Sequence, residues 1–133
     1  MQKQQSELTV IMKAKELCAY VATVTQKSPK HFRYTYVSRL QNLAMDVLEK
    51  LYRANDVYAP ASDPEACAER LGYQRRAMTD IRLLCWFAML AMEQGCILPK
   101  QYEQISRLGT ESRNLLGGWM NSDRRRSQPR ERL

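Results

Sequence analysis

Histidine, glycine and proline are scarce in this sequence of 133 residues, which contains one, five and five of them. Glycine and proline are confined to a few places and do not recur at the spacing of roughly 8 to 12 residues that is typical of an all-β chain. The sequence therefore predicts few and long elements. Because His31 is the single histidine, a multi-histidine metal site and a standard Ser-His-Asp triad both lack parts.

Long apolar runs and paired cysteines are also missing. The longest apolar run, residues 83–92, is well short of the roughly 20 residues that span a bilayer, so it predicts a buried helical segment. Residues 1–6 are polar and no apolar secretory segment follows them, so we expect a cytoplasmic protein without membrane attachment. The four cysteines form no C-x-x-C pair, which favours reduced core cysteines over disulfides or metal ligands.

Apolar residues recur at spacings of three and four in several segments, as they do on one face of an α-helix. The first such segment is residues 8–25. The second follows Ser28, a favourable N-cap residue, and Pro29, which suits the first helical position, and it ends at Asn55 and Asp56.

The later segments have similar boundary signals. Ser62 and Glu65 are spaced as a capping box that opens the third helix, and Gly95 can adopt the left-handed conformation that ends it. Pro99 opens the fourth helix. Four amphipathic helices with short connections predict an all-α fold, an antiparallel up-down-up-down four-helix bundle. Residues 1–122 are assigned to the bundle and residues 123–133, rich in arginine, to a disordered basic tail.

The third helix has more apolar residues than one bundle core requires. Residues 83–88 are consecutively apolar, so they point in nearly every direction around the helix. We therefore expect Leu83, Trp86 and Phe87 to contact a second subunit of a homo-oligomer. The alternative is that Trp86 and Phe87 thicken the core of a monomer.

Positive charge is also in excess, since 21 lysines and arginines face 14 acids and the net charge is +7. Arginine binds phosphate oxygens in bidentate fashion and stacks on exposed bases, so this excess predicts nucleic-acid binding, with RNA as the main ligand and DNA as a second. Asp46 and Asp80 interrupt the basic faces, and a solvated surface is the alternative. The candidate nucleic-acid-binding residues are Lys30, Arg33, Arg39, Lys50, Arg53, Arg75, Arg76, Arg82, Arg124, Arg125 and Arg126.

The sequence contains no complete catalytic constellation. Gly117 and Gly118 precede Trp119 and are not followed by the Lys-Ser or Lys-Thr of a phosphate-binding loop. No Glu-x-x-His pair is available for a di-iron bundle. We expect a protein that is not an enzyme and that has no cofactor and no metal site. The two glycines are interpreted as a place where a neighbouring backbone approaches, and Trp119 as a residue that closes the end of the core.

Several segments together resemble a known family. Residues 28–34 (SPKHFRY), 81–84 (IRLL), 98–102 (LPKQY) and above all 115–120 (LLGGWM) resemble the accessory variability determinant (Avd) family of diversity-generating retroelements. The resemblance covers nearly the whole chain and places Arg82 within its second segment. The same bundle family includes proteins encoded by intervening sequences in 23S ribosomal RNA genes, and a protein of that kind, or an oligomeric scaffold without a nucleic-acid role, is the alternative.

The resemblance to Avd implies a specific function. Such a protein would be a pentameric, barrel-like ring with a basic surface, and it would bind a reverse transcriptase and the template-repeat RNA. It would support error-prone synthesis of cDNA without catalysing a reaction itself.

Overall fold

The structure, a computed structural model, describes residues 2–127, with side chains from residue 7 onward. It contains four α-helices: α1 (Gln2–Thr25), α2 (Ser38–Asp56), α3 (Pro64–Glu93) and α4 (Pro99–Ser127). Residues 2–127 contain no β-strand. The predicted all-α class and four-helix architecture are confirmed.

The four helices enclose a single apolar core. Each helix packs against the next one in the sequence, and α1 also packs against α4, so that the bundle closes in chain order. Short connections make sequential neighbours antiparallel. Leu40 and Leu84 are buried in one half of the core, and Leu51 and Leu116 in the other. Trp119 is 2% exposed and closes one end, as predicted.

The second helix begins differently from the prediction. A 3-10 turn (Lys30–Phe32) and a π turn (Arg33–Val37) precede α2. Ser28 does not cap this segment, since its hydroxyl donates a 2.7 Å hydrogen bond to the carbonyl of Cys96, between α3 and α4. The predicted N-cap was wrong because this hydroxyl joins two connections at the same end of the bundle.

The start of α3 also differs by one residue. Asp63 is the N-cap, and its carboxylate accepts a 3.1 Å hydrogen bond from the backbone N–H of Ala66. The predicted capping box of Ser62 and Glu65 is therefore wrong. A carboxylate suits this position because it also interacts favourably with the positive end of the helix dipole.

The end of α3 follows the prediction. Gly95 has a φ of 83°, in the left-handed region. Its N–H donates to the carbonyl of Met92 at 3.1 Å, and the N–H of Cys96 donates to the carbonyl of Ala91 at 2.8 Å. These two bonds form a Schellman motif, which satisfies carbonyls at the helix end.

The last helix extends past the predicted end of the bundle. The boundary was placed after residue 122, but α4 continues to Ser127. Asp123, which was assigned to a disordered tail, lies 3.4 Å from the guanidinium of Arg70 and accepts hydrogen bonds from Gln74 at 3.1 Å and Arg126 at 3.2 Å. This network fixes the last turns of α4 against α3. Residues 128–133 of the predicted tail lie outside the described residues.

Arg70 connects most of the elements at this end of the bundle. Besides Asp123, its guanidinium lies 3.8 Å from the carboxylate of Glu7 on α1 and donates to the carbonyl of Val57 between α2 and α3. It also lies 5.8 Å from the ring centroid of Trp119. A buried arginine is stable only with such partners, since removing its charge from water is costly.

Two further observations bear on membrane and metal binding. Within residues 2–127, no helix has both the length and the apolar character needed to cross a bilayer. Among the side chains that the structure describes, no group of three or more His, Cys, Asp or Glu residues is arranged to hold a metal ion.

Candidate nucleic-acid interface

A groove between α3 and α4 combines arginine, tryptophan and open space. Arg82, Cys85 and Trp86 of α3 line one side, and Gly109 and Arg113 of α4 line the other, around a cavity of about 150 Å³. We call this the α3–α4 groove. It brings together two cations and a large aromatic ring from two different helices.

Gly109 allows the two helices to approach closely at this groove. A Cβ atom at this position would lie 2.8 Å from the Sγ of Cys85, closer than side-chain atoms normally pack. By contrast, a Cβ at Gly117 or Gly118 would meet no atom within 4 Å. The prediction that a neighbouring backbone approaches these two glycines is therefore wrong. Gly109 is the glycine that the helix packing requires.

The side chains that flank the groove are accessible. The ring of Trp86 is 65% exposed, although burial of so large an apolar side chain would be favourable. Arg82 and Arg113 are both exposed, and within the described part of the chain neither guanidinium forms an ion pair or hydrogen bond. Both charges are thus available to an anionic ligand.

The basic surface continues along the same two helices. Arg75 lies two turns before Arg82 on α3 and lines a second pocket of about 210 Å³ together with Arg124 of α4. Arg124 donates a 3.1 Å hydrogen bond to Asn121 on its own helix. Four arginines therefore follow the α3–α4 face from its middle towards the end of α4.

Several predicted binding residues lie away from this face. Arg39 is placed over the ring of Phe87, 5.4 Å from its centroid, on the side of α3 that faces α2. Arg76 lies 6.0 Å from the ring centroid of Tyr73 on the same helix. Arg53 pairs at 3.3 Å with Glu49 on the outer surface of α2. The predicted set is thus divided among different faces of the bundle.

Ion pairs change the interpretation of two other predicted residues. Lys50 forms an ion pair with Asp80, and this pair links α2 to α3. Arg126 pairs with Asp123 and is half-buried. Their charges are therefore compensated within the fold, and neither Lys50 nor Arg126 lines the α3–α4 groove.

The remaining predicted cations are exposed at other positions. Lys30 and Arg33 line a separate pocket of about 530 Å³ at the connection between α1 and α2, at the opposite end of the bundle from Arg124. Arg125 is exposed on the last turn of α4. These residues do not line the α3–α4 groove.

The predicted subunit interface is divided as well. Trp86 lines the α3–α4 groove, whereas Phe87 lines a different pocket, between α2 and α3. Leu83 and Leu90 are 40% and 41% exposed. Trp86 and Phe87 are adjacent in sequence but lie on different sides of α3, because successive residues of an α-helix are rotated by about 100° around its axis.

Comparison with known proteins reveals a similar fold. No family model and no curated protein matches the sequence. A solved structure of a protein of unknown function from the S23 ribosomal protein family of Bacteroides thetaiotaomicron superposes with a TM-score of 0.75. The two sequences are 14% identical, and the match covers 87% of this chain and 98% of the other. The similarity shows the four-helix fold and is compatible with the bundle family that the sequence resembles.

Sequence reasoning missed Arg113. Its position next to Ser112, which is buried on the core stripe of α4, gives no sign of which neighbouring helix it approaches. The one signal available in the sequence was the lack of an acid one helical turn later. Arg107, by contrast, has Glu111 four residues later and pairs with it at 2.8 Å. Arg113 has no acid at the corresponding position.

The thiols of the core are shifted towards their neutral form. Burial raises the pKa of Cys18 to about 11, and its Sγ donates to the carbonyl of Ala44. Burial also raises the pKa of Cys85 at the α3–α4 groove, and the nearby charge of Arg113 opposes this effect. All four cysteines are free.

Proposed function

We propose that this protein is a non-catalytic, nucleic-acid-binding accessory subunit, with RNA as its main ligand, and that the α3–α4 groove is its binding surface. The observation that carries this proposal is the pair Arg82 and Arg113, which are exposed, have no acidic partner among the described residues, and flank the exposed ring of Trp86. Guanidinium groups bind phosphates and aromatic rings stack on bases. The groove offers both kinds of contact.

The electrostatics of the whole chain support the same ligand. A net charge of +7 attracts a polyanion before contact. Arg75 and Arg124 extend the positive surface beyond the groove itself. Each phosphate that these residues neutralise would release condensed cations, so binding should weaken as salt rises.

The identity of the protein partner rests on the sequence. The segments that resemble Avd support a retroelement reverse transcriptase as the partner, with the accessory subunit holding the RNA template during mutagenic cDNA synthesis in the cytoplasm. A pentameric ring is the assembly that this resemblance implies. The exposed apolar side chains Leu83 and Leu90 on α3, and Met45 and Tyr52 on α2, support self-association, because apolar surface gains stability when it is covered.

A second candidate function is an oligomeric scaffold without a nucleic-acid role, or a protein of the 23S ribosomal RNA intervening-sequence type. The fold similarity to a member of the S23 ribosomal protein family is compatible with this candidate as well as with the first. It predicts an oligomer whose assembly does not respond to nucleic acid.

Binding measurements with charge variants test the first proposal. Structured RNA and duplex DNA of equal length are titrated at several salt concentrations against the parent protein and Arg82→Ala/Arg113→Ala. The variant should bind RNA more weakly, and the magnitude of its salt slope should decrease by about 1.4 to 1.8, since each phosphate contact contributes roughly 0.7 for a single strand and roughly 0.9 for a duplex. Arg53→Ala/Arg107→Ala is a matched control, because both residues are exposed and paired within their own helices.

The same variants separate the two candidates. If the control pair and the groove pair lose affinity equally, the charge acts without a localised site and the groove is not the binding surface. If the parent protein does not bind RNA even at low salt, the scaffold is the better interpretation. Co-purification with a reverse transcriptase encoded beside this chain, and its loss in Arg82→Ala/Arg113→Ala, would test the polymerase partner.

A further inference from the structure

We infer that the α3–α4 groove binds an unpaired nucleotide of a single-stranded segment, with its base stacked on Trp86 and its neighbouring phosphates at Arg82 and Arg113. This inference rests on the proposed nucleic-acid function and specifies which form of nucleic acid the groove accepts. It assigns Trp86 a role as a stacking surface that is separate from the packing of the bundle.

The two tryptophans of the chain have contrasting environments. Trp119 is 2% exposed and packs in the core, whereas Trp86 is 65% exposed. Trp86 lies within α3, two residues after the core residue Leu84 and two before the core residue Ala88, so its position is fixed by a helix and not by a loop. Because the helix already holds the indole in place, little conformational entropy should be lost when a base stacks on its exposed face.

The surroundings of Trp86 favour a nucleotide over an apolar ligand. Arg82 is one helical turn before it on the same helix, and Arg113 reaches the groove from α4. The described residues that line this groove include no carboxylate. A nucleotide within a strand has a planar base and a phosphate on each side of it. The aromatic ring matches the base, and the positive groups on the two helices match the phosphates.

The accessible ring face distinguishes single strands from duplexes. In a duplex, each base is covered above and below by its neighbours, so a protein contacts only base edges and the backbone. A base can stack on Trp86 only after it has left such a stack. Tyr102 and Thr110, which also line the groove, provide hydroxyl groups for the polar edge of an unpaired base.

Gly109 determines the shape of the groove beneath this ring. A side chain here would press against the Sγ of Cys85 at 2.8 Å and would separate α3 from α4. The absence of a side chain keeps Arg113 and Trp86 at the two walls of one narrow cavity of about 150 Å³. The cavity suits a single ring system between two helices.

The test compares single-stranded RNA with a duplex RNA of the same length. Fluorescence anisotropy measures the affinity of labelled oligonucleotides for the full-length parent protein, Trp86→Ala, Trp86→Phe and Arg82→Ala/Arg113→Ala. Tyr58→Ala is the control, since Tyr58 is an exposed aromatic side chain in the connection between α2 and α3 and does not line the groove. Circular dichroism establishes that each variant is folded, and light scattering measures the number of subunits.

We expect Trp86→Ala to lower the affinity for single-stranded RNA roughly 5- to 100-fold, as loss of one stacked base does. Its affinity for the duplex should change much less, and Trp86→Phe should retain most of the binding. The chain has two tryptophans, so quenching of the Trp86 emission by single-stranded RNA should disappear in Trp86→Phe while buried Trp119 remains unaffected. Tyr58→Ala should bind as the parent does.

Three results would overturn the inference in different ways. If Arg82→Ala/Arg113→Ala weakens binding but Trp86→Ala leaves the preference for single strands unchanged, the proposed function stands and the stacking role is wrong. If no groove variant alters binding, both are wrong. If Trp86→Ala reduces the number of subunits, Trp86 belongs to a contact between copies of the chain and not to a nucleotide site.

Discussion

Replacement of Asp123 by alanine should destabilise the bundle, although the sequence placed this residue in a disordered tail. Its carboxylate pairs with Arg70 at 3.4 Å and accepts from Gln74 and Arg126. The side chains of Arg70 and Asp123 are 10% and 17% exposed. Removing one partner of a fully buried pair costs roughly 3–5 kcal/mol, and the residual solvent contact here reduces the cost to about 2–3 kcal/mol. For a chain of this size, that loss lowers the Tm by about 8–12 °C.

Thermal and urea unfolding, monitored by circular dichroism, measure this effect. All variants are compared at one protein concentration, because self-association would make the Tm depend on concentration. Arg125→Ala is the control, since Arg125 lies on the same turn and is exposed, and it should change stability by less than about 0.5 kcal/mol. A second variant, Arg70→Met/Asp123→Leu, should not recover the loss, because Glu7 and the carbonyl of Val57 also lose their partner Arg70. The reasoning is refuted if Asp123→Ala is as stable as Arg125→Ala.

Three other substitutions or modifications test the packing. Gly109→Ala should destabilise the protein by about 1–2 kcal/mol through overpacking against the Sγ of Cys85. In a Cys85→Ala background the same change should become neutral or stabilising. Urea unfolding, with and without Gly109→Ala in each background, measures the difference. Gly118→Ala should stabilise α4 by about 1 kcal/mol in the same assay, since its Cβ meets no atom, and a loss of stability would contradict this. Because burial raises the pKa of Cys18 from 9.0 to about 11, its alkylation by iodoacetamide at pH 8 should be far slower than in the urea-unfolded chain, as peptide mass spectrometry would show. The contribution of this thiol to stability should be complete below pH 9 and should decline as pH rises towards 11.

The helices were predictable because their signals are local. Apolar spacing, Gly95 and Pro99 depend only on neighbouring residues, and all three gave the correct elements. The N-cap of α3 was missed by one residue, between the adjacent candidates Ser62 and Asp63. Two other boundaries failed because a distant residue decided them. Ser28 bonds to Cys96, far away in the sequence, and Asp123 is held by Arg70, so no local pattern could reveal either role.

The candidate site was predictable only in part. The spacing of Arg75 and Arg82 correctly placed both on one face of α3, because residues seven apart nearly superpose on a helix. Arg113 was missed because the sequence does not state which side of α4 faces α3. The ion pair of Lys50 could not be predicted because its partner, Asp80, lies on another helix.

The π turn at Arg33–Val37 has a consequence for tracing the ancestry of this chain. The backbone N–H of Ser38 donates to the carbonyl of Arg33, five residues earlier, so this turn holds one residue more than an α-helical turn. A relative whose helix is regular at this point would align with the chain only after a gap of one residue between positions 33 and 37. Without that gap, one flank would be compared one residue out of step, which is a rotation of about 100° around the helix, and its core stripe would no longer match that of the relative.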